Sequence, residues 1–353
     1  MRFSASYVAL FLIGTPTVSG FAPTTTTQGA TSHTSLFAAK FKVFIDGEAG
    51  TTGLQVRQRI EARDDLEIIS PPSDKRKDEA TRKQFINEAD AVILCLPDEA
   101  SIEAAGYVEP DNDRTVIIDA STAFRVDDDW VYGFPGASRW IMNWKTCATV
   151  EVQRLSVLKW ALFHFSGILK EGTPLTVNAI SGYSGGGKGL MEIFENEEHE
   201  PWSGYGFSLQ HKHLPEMAKY SKLDRKPIFQ PQIATFAQGM VVSVPLHYDW
   251  LASGTTGKKI HQALSKYYEG SNFVSVMPLG ESEVKEAGLL ERGGFLRPDT
   301  LANTNKMELF VFPNDEAQQV VLCARLDNLG KGASGAAVQN LNIALGLDET
   351  AGL

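Results

Sequence analysis

Short apolar runs alternate with helical patterns near the beginning of the chain, after its first 40 residues. Residues 42–45 alternate toward β-branched and aromatic side chains, and residues 54–63 carry apolar side chains at the i, i+3 and i+4 spacing of a helix. The runs 66–69, 91–96 and 116–118 are typical of parallel strands that are buried on both faces. Because helical patterns lie between these runs, the order predicts a doubly wound, Rossmann-like parallel sheet of the α/β class.

The pattern changes after Trp140, where strand-like runs follow one another with turns or few helices between them. Such an order predicts an α+β domain with a mixed, largely antiparallel sheet. A chain of 353 residues, of which 43% are hydrophobic, can bury the cores of two domains. The strand-like runs are 175–180, 233–236, 240–246, 273–277, 309–312 and 320–326.

The first predicted strand leads directly into a glycine-spaced turn. Gly47, Gly50 and Gly53 follow at intervals of three. Glycine permits positive φ and close backbone approach, and Thr51 and Thr52 add hydroxyl donors beside the unpaired N–H groups of the first helical turn. A pyrophosphate could therefore bind at this helix N-terminus. Taken alone, the spacing also fits an ordinary strand, turn and helix of any α/β protein.

The end of the second predicted strand bears on cofactor choice. Ser70 follows that strand, seventeen residues after Gly53, where an NAD-specific fold usually has an acidic residue on the ribose 2′-hydroxyl. The missing acid and the basic run Lys75-Arg76-Lys77 favour a 2′-phosphate, and therefore NADP. The alternative is a solvated basic loop with no ligand.

Two loops in the second half of the chain carry further chemistry. The segment 181–188, with the sequence SGYSGGGK, follows a predicted strand and opens a helix, so it could hold an anion with Lys188 as a point charge. His211 and His213 precede a helix that begins with a proline. Two histidines at this spacing could bind a metal, but one histidine acting as a general acid or base fits better because a third ligand is missing. A pair of surface histidines is the alternative.

Charge and cysteine content argue against a nucleic-acid-binding protein and against a disulfide-rich one. A net charge of −10 without a basic face argues against nucleic acid as a partner. Three cysteines cannot form a disulfide framework. Cys95 and Cys323 lie in strand-like runs and are most simply small buried apolar residues, which leaves Cys147 as the reactive candidate.

The first 40 residues predict a targeting presequence. An apolar run at 7–13 is too short to span a bilayer, and small residues lead up to Phe21. The following segment is rich in Ser and Thr and has no acidic residue before Asp46, which is typical of an organellar transit peptide. This order resembles the bipartite presequence of plastid proteins in algae with secondary plastids and predicts the chloroplast stroma. Simple secretion is the alternative, and the unpaired cysteines disfavour it.

Several segments together resemble one protein family. They are FIDGEAGTTGLQVRQRI, AVILCLPDEAS, IDASTAFR, YGFP, TVNAISGYSGGGK, HKHLPEM, FAQGMVVSVPLH and LDNLGKGASGAAVQN, and they lie within residues 41–135 and 172–346. Any one of them is a weak signal, but the set is specific. It resembles the short-form N-acetyl-γ-glutamyl-phosphate reductases, which belong to the wider semialdehyde dehydrogenase superfamily.

The resemblance implies a domain plan and an activity. The presequence would occupy residues 1–40, an NADP-binding Rossmann domain residues 41–140 with completion by 327–353, and a catalytic and dimerisation domain residues 141–326. The implied reaction is the NADPH-dependent reduction of N-acetyl-γ-glutamyl phosphate to N-acetyl-glutamate 5-semialdehyde in arginine biosynthesis, with release of phosphate. The implied assembly is a homodimer or homotetramer that has no contact with a membrane in its mature form.

Reduction of an acyl phosphate through a thioester requires specific groups. These are a low-pKa cysteine, an imidazole that protonates the collapsing thiohemiacetal, and cations for the phosphate and the substrate carboxylate. Cys147 and His213 supply the catalytic groups, and Lys188 and Arg125 supply the cations. No metal is expected. The other expected site residues are Ser181, Gly182 and His211 for the substrate, and Gly47, Gly50, Thr51, Thr52, Gly53, Ser70 and Asn328 for the cofactor.

The resemblance breaks in residues 136–167. Family members carry the nucleophile in a motif close to Asn-Pro-Gly-Cys-Tyr-(Pro/Ala)-Thr-Gly, whereas the sequence around Cys147 is Trp-Lys-Thr-Cys-Ala-Thr. A glycine before the cysteine permits a tight turn that aims the thiol at a helix N-terminus, and Lys-Thr lacks that freedom. Because the changes cluster between well-matched segments, we interpret them as a shifted reading frame or a misplaced exon boundary.

Two alternatives to an active reductase follow. A catalytically impaired paralogue, or the product of a misassembled gene, would bind NADP without turnover. A sister enzyme that acts on aspartyl or α-aminoadipyl phosphate would keep the mechanism and change the residues that hold the substrate.

Overall fold

The computed structural model describes residues 39–133, the main chain of residues 146–148, and residues 169–353. The predicted presequence and most of the segment 136–167 therefore lie outside the described residues. Within the described residues, the chain folds around two separate β-sheets.

The first sheet contains six strands, and every neighbouring pair in it is parallel. The strand order β2-β1-β3-β4-β6-β5 reverses its direction between β1 and β3, as a doubly wound sheet requires. Both faces of β3 and β4 are buried, and their residues are apolar except for Asp119 at the end of β4. The strands are β1 (Phe41–Asp46), β2 (Leu66–Ile69), β3 (Ala91–Leu94), β4 (Val116–Asp119), β5 (Val131–Tyr132) and β6 (Thr146–Ala148).

Helices cover both faces of this sheet. Helix α1 (Thr51–Ile60) buries Val56 and Ile60 against the side chains of β1 that point to one face. On the other face, α2 (Glu79–Glu88) buries Ile86 in a second cluster, and α3 (Asp98–Ala105) adds Ala104 to it. This arrangement confirms the predicted doubly wound architecture.

The second sheet contains seven strands in the order β11-β12-β13-β10-β7-β9-β8. Four of its neighbouring pairs are antiparallel, and two, β7 with β9 and β11 with β12, are parallel. This mixed, largely antiparallel sheet confirms the prediction. Its strands are β7 (Thr176–Gly182), β8 (Trp202–Gly204), β9 (Ile228–Ala234), β10 (Met240–His247), β11 (Val274–Val276), β12 (Met307–Asn314) and β13 (Gln319–Leu326). Its helices are α4 (Gly187–Asn196), α5 (Leu214–Tyr220), α6 (Gly257–Tyr267) and α7 (Gly280–Glu286).

One predicted strand has the wrong bounds. The sequence predicts a strand at 233–236, but β9 begins at Ile228 and ends at Ala234. Phe229 and Pro231 face the core, while Gln230 between them is exposed. The glutamines and the proline interrupt the apolar run, so the early half of the strand carries a weak sequence signal.

The C-terminal segment returns to the first sheet. A π-helical turn (Gly330–Ser334) leads into helix α8 (Gly335–Ala344), which packs against α1 and β4. Ser334 donates a hydrogen bond to Gln55 over 3.1 Å, and Arg63 donates one to Asn342 over 2.6 Å. The same segment follows β13 of the second sheet, so it connects the two sheets. The exact domain boundaries stay predictions.

Candidate active site

The first glycine turn leaves no room for larger residues at two of its positions. Gly47 has a φ of +87°, and a Cβ at this position would lie 2.4 Å from the carbonyl oxygen of Cys95. A Cβ at Gly53 would lie 2.4 Å from the carbonyl oxygen of Gly47. Both distances are far shorter than a van der Waals contact, so only glycine fits. The turn thus holds its main chain tightly against the end of β3.

Helix α1 begins inside this turn, and no side chain caps its N-terminal end. Gly50 is its N-cap residue and makes no side-chain cap, and no acidic residue lies in the first turn. The N–H groups of Thr51, Thr52 and Gly53 therefore have no intrahelical acceptor, which suits an anion. A cavity of about 430 Å³, lined in part by Gly47, lies beside the turn. These features fit the pyrophosphate of a dinucleotide.

Ser70 lies in a charged cluster at the end of β2. Its hydroxyl donates to Glu48 over 3.2 Å, and Arg57 donates to the Ser70 hydroxyl over 3.4 Å. Glu48 also forms ion pairs with Arg57 at 2.8 Å and with Arg76 at 2.7 Å. Two of these residues, Glu48 and Arg76, line the cavity beside the glycine turn. The basic loop predicted to favour NADP thus contributes two cations, Arg76 and Lys77, to the lining of this cavity.

The second glycine turn lies next to the first. Strand β7 ends at Gly182, a 3₁₀ turn (Tyr183–Gly186) follows, and helix α4 then begins. Lys188 in the first turn of α4 donates from Nζ to the carbonyl oxygen of Ala49 over 2.7 Å. This contact joins the second sheet to the first glycine turn. The predicted substrate cation Lys188 therefore lies where the two glycine turns meet.

Asn328 forms two hydrogen bonds beside the second glycine turn. Its Oδ1 accepts from the N–H of Gly239 over 2.8 Å, and its Nδ2 donates to the hydroxyl of Ser184 over 2.9 Å. Only glycine fits at position 182, because a Cβ there would lie 2.3 Å from the carbonyl oxygen of Ala237. Asn328, predicted to bind the cofactor, thus has both polar ends bonded to protein groups in this structure.

His213 lies in a buried ionic cluster with Glu216 and Arg125. Its Nδ1 lies 2.6 Å from Oε1 of Glu216, and Nη1 of Arg125 lies 3.2 Å from the same oxygen. All three side chains are only 2% exposed. A carboxylate can only accept hydrogen bonds, so Nδ1 of His213 carries a proton and Nε2 is the atom that can exchange one. Arg125 is further fixed by donation from Nε to the carbonyl oxygen of Ser121 over 2.7 Å.

His211 adopts a defined tautomer beside His213. Its Nδ1 accepts a hydrogen bond from the main-chain N–H of His213 over 3.2 Å. Neutral His211 therefore carries its proton on Nε2 and can act as a donor there. Both histidines and Ser181 line one cavity of about 510 Å³, together with apolar residues of α4 such as Leu190 and Phe194. Three of the predicted site residues thus share one cavity.

The three cysteines lie in different settings. The main chain of Cys147 belongs to β6 and pairs with Ile118 in β4 and Val131 in β5, while its side chain lies outside the described residues. Burial raises the pKa of the Cys95 thiol to about 12, with the carboxylates of Asp119 and Asp46 adding to the effect. Burial likewise raises the pKa of Cys323 to about 11. Neither of these two thiols is a thiolate near neutral pH.

Sequence reasoning missed two acidic residues of the site. Glu216 holds the catalytic histidine candidate, and Glu48 joins the basic residues near Ser70. The only sequence signal for Glu216 was its position three residues after His213, inside the first turn of a proline-started helix. No comparable spacing indicated Glu48.

Within the described part of the chain, no group of three or more His, Cys, Asp and Glu side chains is arranged to hold a metal ion. No helix in the same residues combines the length and the apolar character that crossing a membrane demands.

Comparison with known proteins shows the family. The chain matches the model of the semialdehyde dehydrogenase NAD binding domain over residues 42–140 and that of the semialdehyde dehydrogenase dimerisation domain over residues 158–328. It is 47% identical over 319 residues to the N-acetyl-gamma-glutamyl-phosphate reductase of Rhizobium johnstonii, covering 86% of this chain and 98% of that protein. The chain belongs to the N-acetyl-gamma-glutamyl-phosphate reductase family. A second family member, N-acetyl-gamma-glutamyl-phosphate reductase 2 of a Nostoc species, is 44% identical and covers 89% of this chain and 99% of that protein.

Solved structures show how far the fold of this family member is shared. Aspartate semialdehyde dehydrogenase II from Vibrio cholerae matches with a TM-score of 0.60 at 14% identity, over 87% of this chain and 99% of that one. The aspartate semialdehyde dehydrogenase of Candida albicans, solved with NADP, matches with a TM-score of 0.55 at 12% identity, over 86% of this chain and 99% of that one. The two-sheet architecture is therefore that of the semialdehyde dehydrogenases.

Proposed function

We propose that this chain catalyses the NADPH-dependent reduction of N-acetyl-γ-glutamyl phosphate to N-acetyl-glutamate 5-semialdehyde, with release of phosphate, in arginine biosynthesis. The observation that carries the proposal is 47% identity with a reductase of that name over 98% of its length. The site supports it, because a buried, carboxylate-held histidine lies in the same cavity as a serine and a second histidine. The test is phosphate-dependent reduction of NADP by the semialdehyde.

The first chemical step requires a thiolate. We assign it to Cys147, because the thiols of Cys95 and Cys323 have raised pKa values and stay protonated. The sulfur of Cys147 would form a bond to the acyl carbon, and the bond from that carbon to the phosphate oxygen would break. The product is a thioester, which holds the acyl carbon covalently in the site and accepts hydride there. NADPH, when bound, supplies the hydride.

His213 would hold and deliver the proton that the second half of the reaction needs. Glu216 fixes the ring through Nδ1, which leaves Nε2 for proton exchange. Addition of hydride to the thioester would leave an oxyanion, which takes the proton from the imidazole and becomes the thiohemiacetal hydroxyl. When the thiohemiacetal collapses to the aldehyde, the thiolate of Cys147 leaves and the hydroxyl proton returns to the imidazole. The burial of this pair keeps the ring in one orientation and excludes water from its carboxylate side.

The two cations of the site, Arg125 and Lys188, would have different roles because they lie in different places. Arg125 is buried against Glu216 and His213, where its positive charge offsets the carboxylate that holds the histidine ring. Lys188 is exposed at the junction of the two glycine turns, where its point charge could attract the phosphate of the substrate. His211 can donate from Nε2 toward a carboxylate or carbonyl oxygen in the cavity.

The cofactor preference follows from Ser70. An acidic residue at this position would repel a 2′-phosphate, whereas Ser70 is uncharged and the cations Arg76 and Lys77 of the following loop line the cavity. We expect the protein to bind NADPH about ten- to a hundredfold more tightly than NADH, which is ~1.4 to 2.8 kcal/mol. Fluorescence titration of both nucleotides measures the ratio. Equal affinities, or tighter binding of NADH, would contradict the assignment of Ser70.

A second candidate function is binding of NADP without turnover. The observation that favours it is the unusual sequence of residues 136–167, where the motif around the cysteine differs from that of the family. Sequencing the transcript across these codons separates a real variant from a misassembled gene. A sister activity on aspartyl or α-aminoadipyl phosphate would appear as turnover with those semialdehydes and none with the N-acetylated one.

Assembly and location complete the proposal. The match to a domain model described as a dimerisation domain supports a homodimer or homotetramer, which analytical ultracentrifugation would distinguish. The composition of residues 1–40 supports delivery to the plastid stroma.

The proposed presequence, residues 1–40, can be tested with a fluorescent fusion. A fluorescent fusion of residues 1–40 should reach the plastid, with cleavage between Gly20 and Phe21, because small residues precede that bond and no acid follows. Replacing Phe21→Ala should divert the fusion from the plastid. Microscopy in a diatom or a related alga with secondary plastids reads out both results, and cytosolic fluorescence of the unmodified fusion would refute the bipartite presequence.

A further inference from the structure

Three hydrogen-bond donors near the end of β2 converge on one carboxylate. Arg57 Nη1 lies 2.8 Å from Oε2 of Glu48, and Arg76 Nη2 lies 2.7 Å from Oε1. The hydroxyl of Ser70 donates to Oε2 over 3.2 Å. Two guanidinium groups and a hydroxyl around one anion form the kind of donor set that a phosphate monoester requires.

Burial shows that Glu48 is the fixed member of this cluster. Its side chain is 11% exposed, whereas the side chains of Arg57 and Arg76 are 39% and 44% exposed. Glu48 follows Gly47 in the glycine turn and lines the cofactor cavity together with Arg76. An anion that enters from the cavity therefore meets Arg76, whose charge is already partly neutralised by Glu48.

We propose that Glu48 is an internal competitor for the 2′-phosphate of NADP. Its carboxylate occupies donors of Arg57, Arg76 and Ser70 that the phosphate needs, so it weakens the binding of NADP and leaves the binding of NAD unaffected. Glu48 acts through these donors and is a positioning residue. The proposal rests on the cofactor site proposed above.

An opposing effect has to be weighed. Glu48 could also hold the arginines in place, and its loss would then weaken phosphate binding. The main chain limits this effect, because Arg57 lies within helix α1 and Arg76 directly follows a 3₁₀ turn closed by a hydrogen bond from Lys75 N to Pro72 O over 2.8 Å. Arg57 also keeps its contact with Ser70. Competition is therefore the larger effect.

The test compares two cofactor fragments, 2′,5′-ADP and 5′-AMP, which differ by the 2′-phosphate. Glu48→Gln keeps the shape and one acceptor but removes the charge. We expect the dissociation constants of 2′,5′-ADP and NADPH to fall by about five- to tenfold in Glu48→Gln, and those of 5′-AMP and NADH to stay within about twofold. Isothermal titration at fixed ionic strength measures all four in the full mature protein.

Glu61→Gln is the matched control. Glu61 also faces Arg57, at 3.9 Å from Nε, but it is 53% exposed and its ion pair does not include Arg76. This variant should change none of the four affinities by more than about twofold. Weaker binding of 2′,5′-ADP to Glu48→Gln, or an equal change for 5′-AMP, would overturn the competition. If the unmodified protein bound neither fragment, the cofactor site itself would be wrong, and the role of Glu48 with it.

Discussion

Replacing Cys147→Ser should abolish the phosphate-dependent oxidation of N-acetyl-glutamate 5-semialdehyde. A serine hydroxyl is not ionised near neutral pH and forms an ester, which accepts hydride far less readily than a thioester. The measurement is the appearance of NADPH absorbance with semialdehyde, phosphate and NADP present. Binding of NADPH to the variant should stay unchanged, because the glycine turns and Ser70 are intact.

Cys95→Ser is the control for this substitution. Cys95 lies just beyond β3, with its carbonyl oxygen against Gly47, and burial raises the pKa of its thiol to about 12. The variant should keep its turnover and lose some thermal stability, because a more polar hydroxyl replaces a partly buried thiol. Activity that survives in Cys147→Ser but disappears in Cys95→Ser would reverse the assignment of the nucleophile.

The second large effect is expected for His213→Asn. The rate of hydride transfer should fall by roughly 10²- to 10⁴-fold, as the loss of a general acid or base predicts. The affinity for NADPH should not change, since His213 lines the substrate cavity and not the cavity beside the first glycine turn. Single-turnover kinetics with saturating cofactor measure the step directly.

His261→Asn is the matched histidine control. His261 lies in α6, where its Nε2 is 2.8 Å from the carbonyl oxygen of Met277, and it does not line the substrate cavity. Turnover of this variant should stay within about threefold of the unmodified protein, as for substitutions away from the site. A similar loss in both variants would point to a folding defect, and an unchanged rate in His213→Asn would remove the histidine from the mechanism.

The sequence pattern predicted most strands of the two sheets, but it missed the short strands β5, β6 and β8 and the contacts between distant side chains. Period-two and continuous apolar runs fix where a strand lies, so the bounds of β2 agree with the prediction. The shift at β9 arose because Pro231 and its flanking glutamines interrupt an otherwise apolar run. Local patterns carry such information because they depend only on neighbouring residues.

The site shows the limit of that reasoning. Ser181, His211 and His213 share a cavity, as the resemblance implied, although nothing in their spacing along the chain requires it. The contact between Lys188 and Ala49 joins residues 139 positions apart, so no local pattern could reveal it. The neutralisation of Arg76 by Glu48 is likewise a matter of tertiary packing.

Turnover by the chain without its predicted presequence tests the central claim most directly. A protein of residues 41–353 should reduce NADP when N-acetyl-glutamate 5-semialdehyde and phosphate are both present, and the rate should vanish when phosphate is omitted. Reaction through a thioester requires this dependence, because phosphate is the acceptor that releases the acyl group. NADPH binding of normal affinity together with no turnover of any semialdehyde, in protein shown to be folded, would contradict the account and leave an NADP-binding protein without reductase activity.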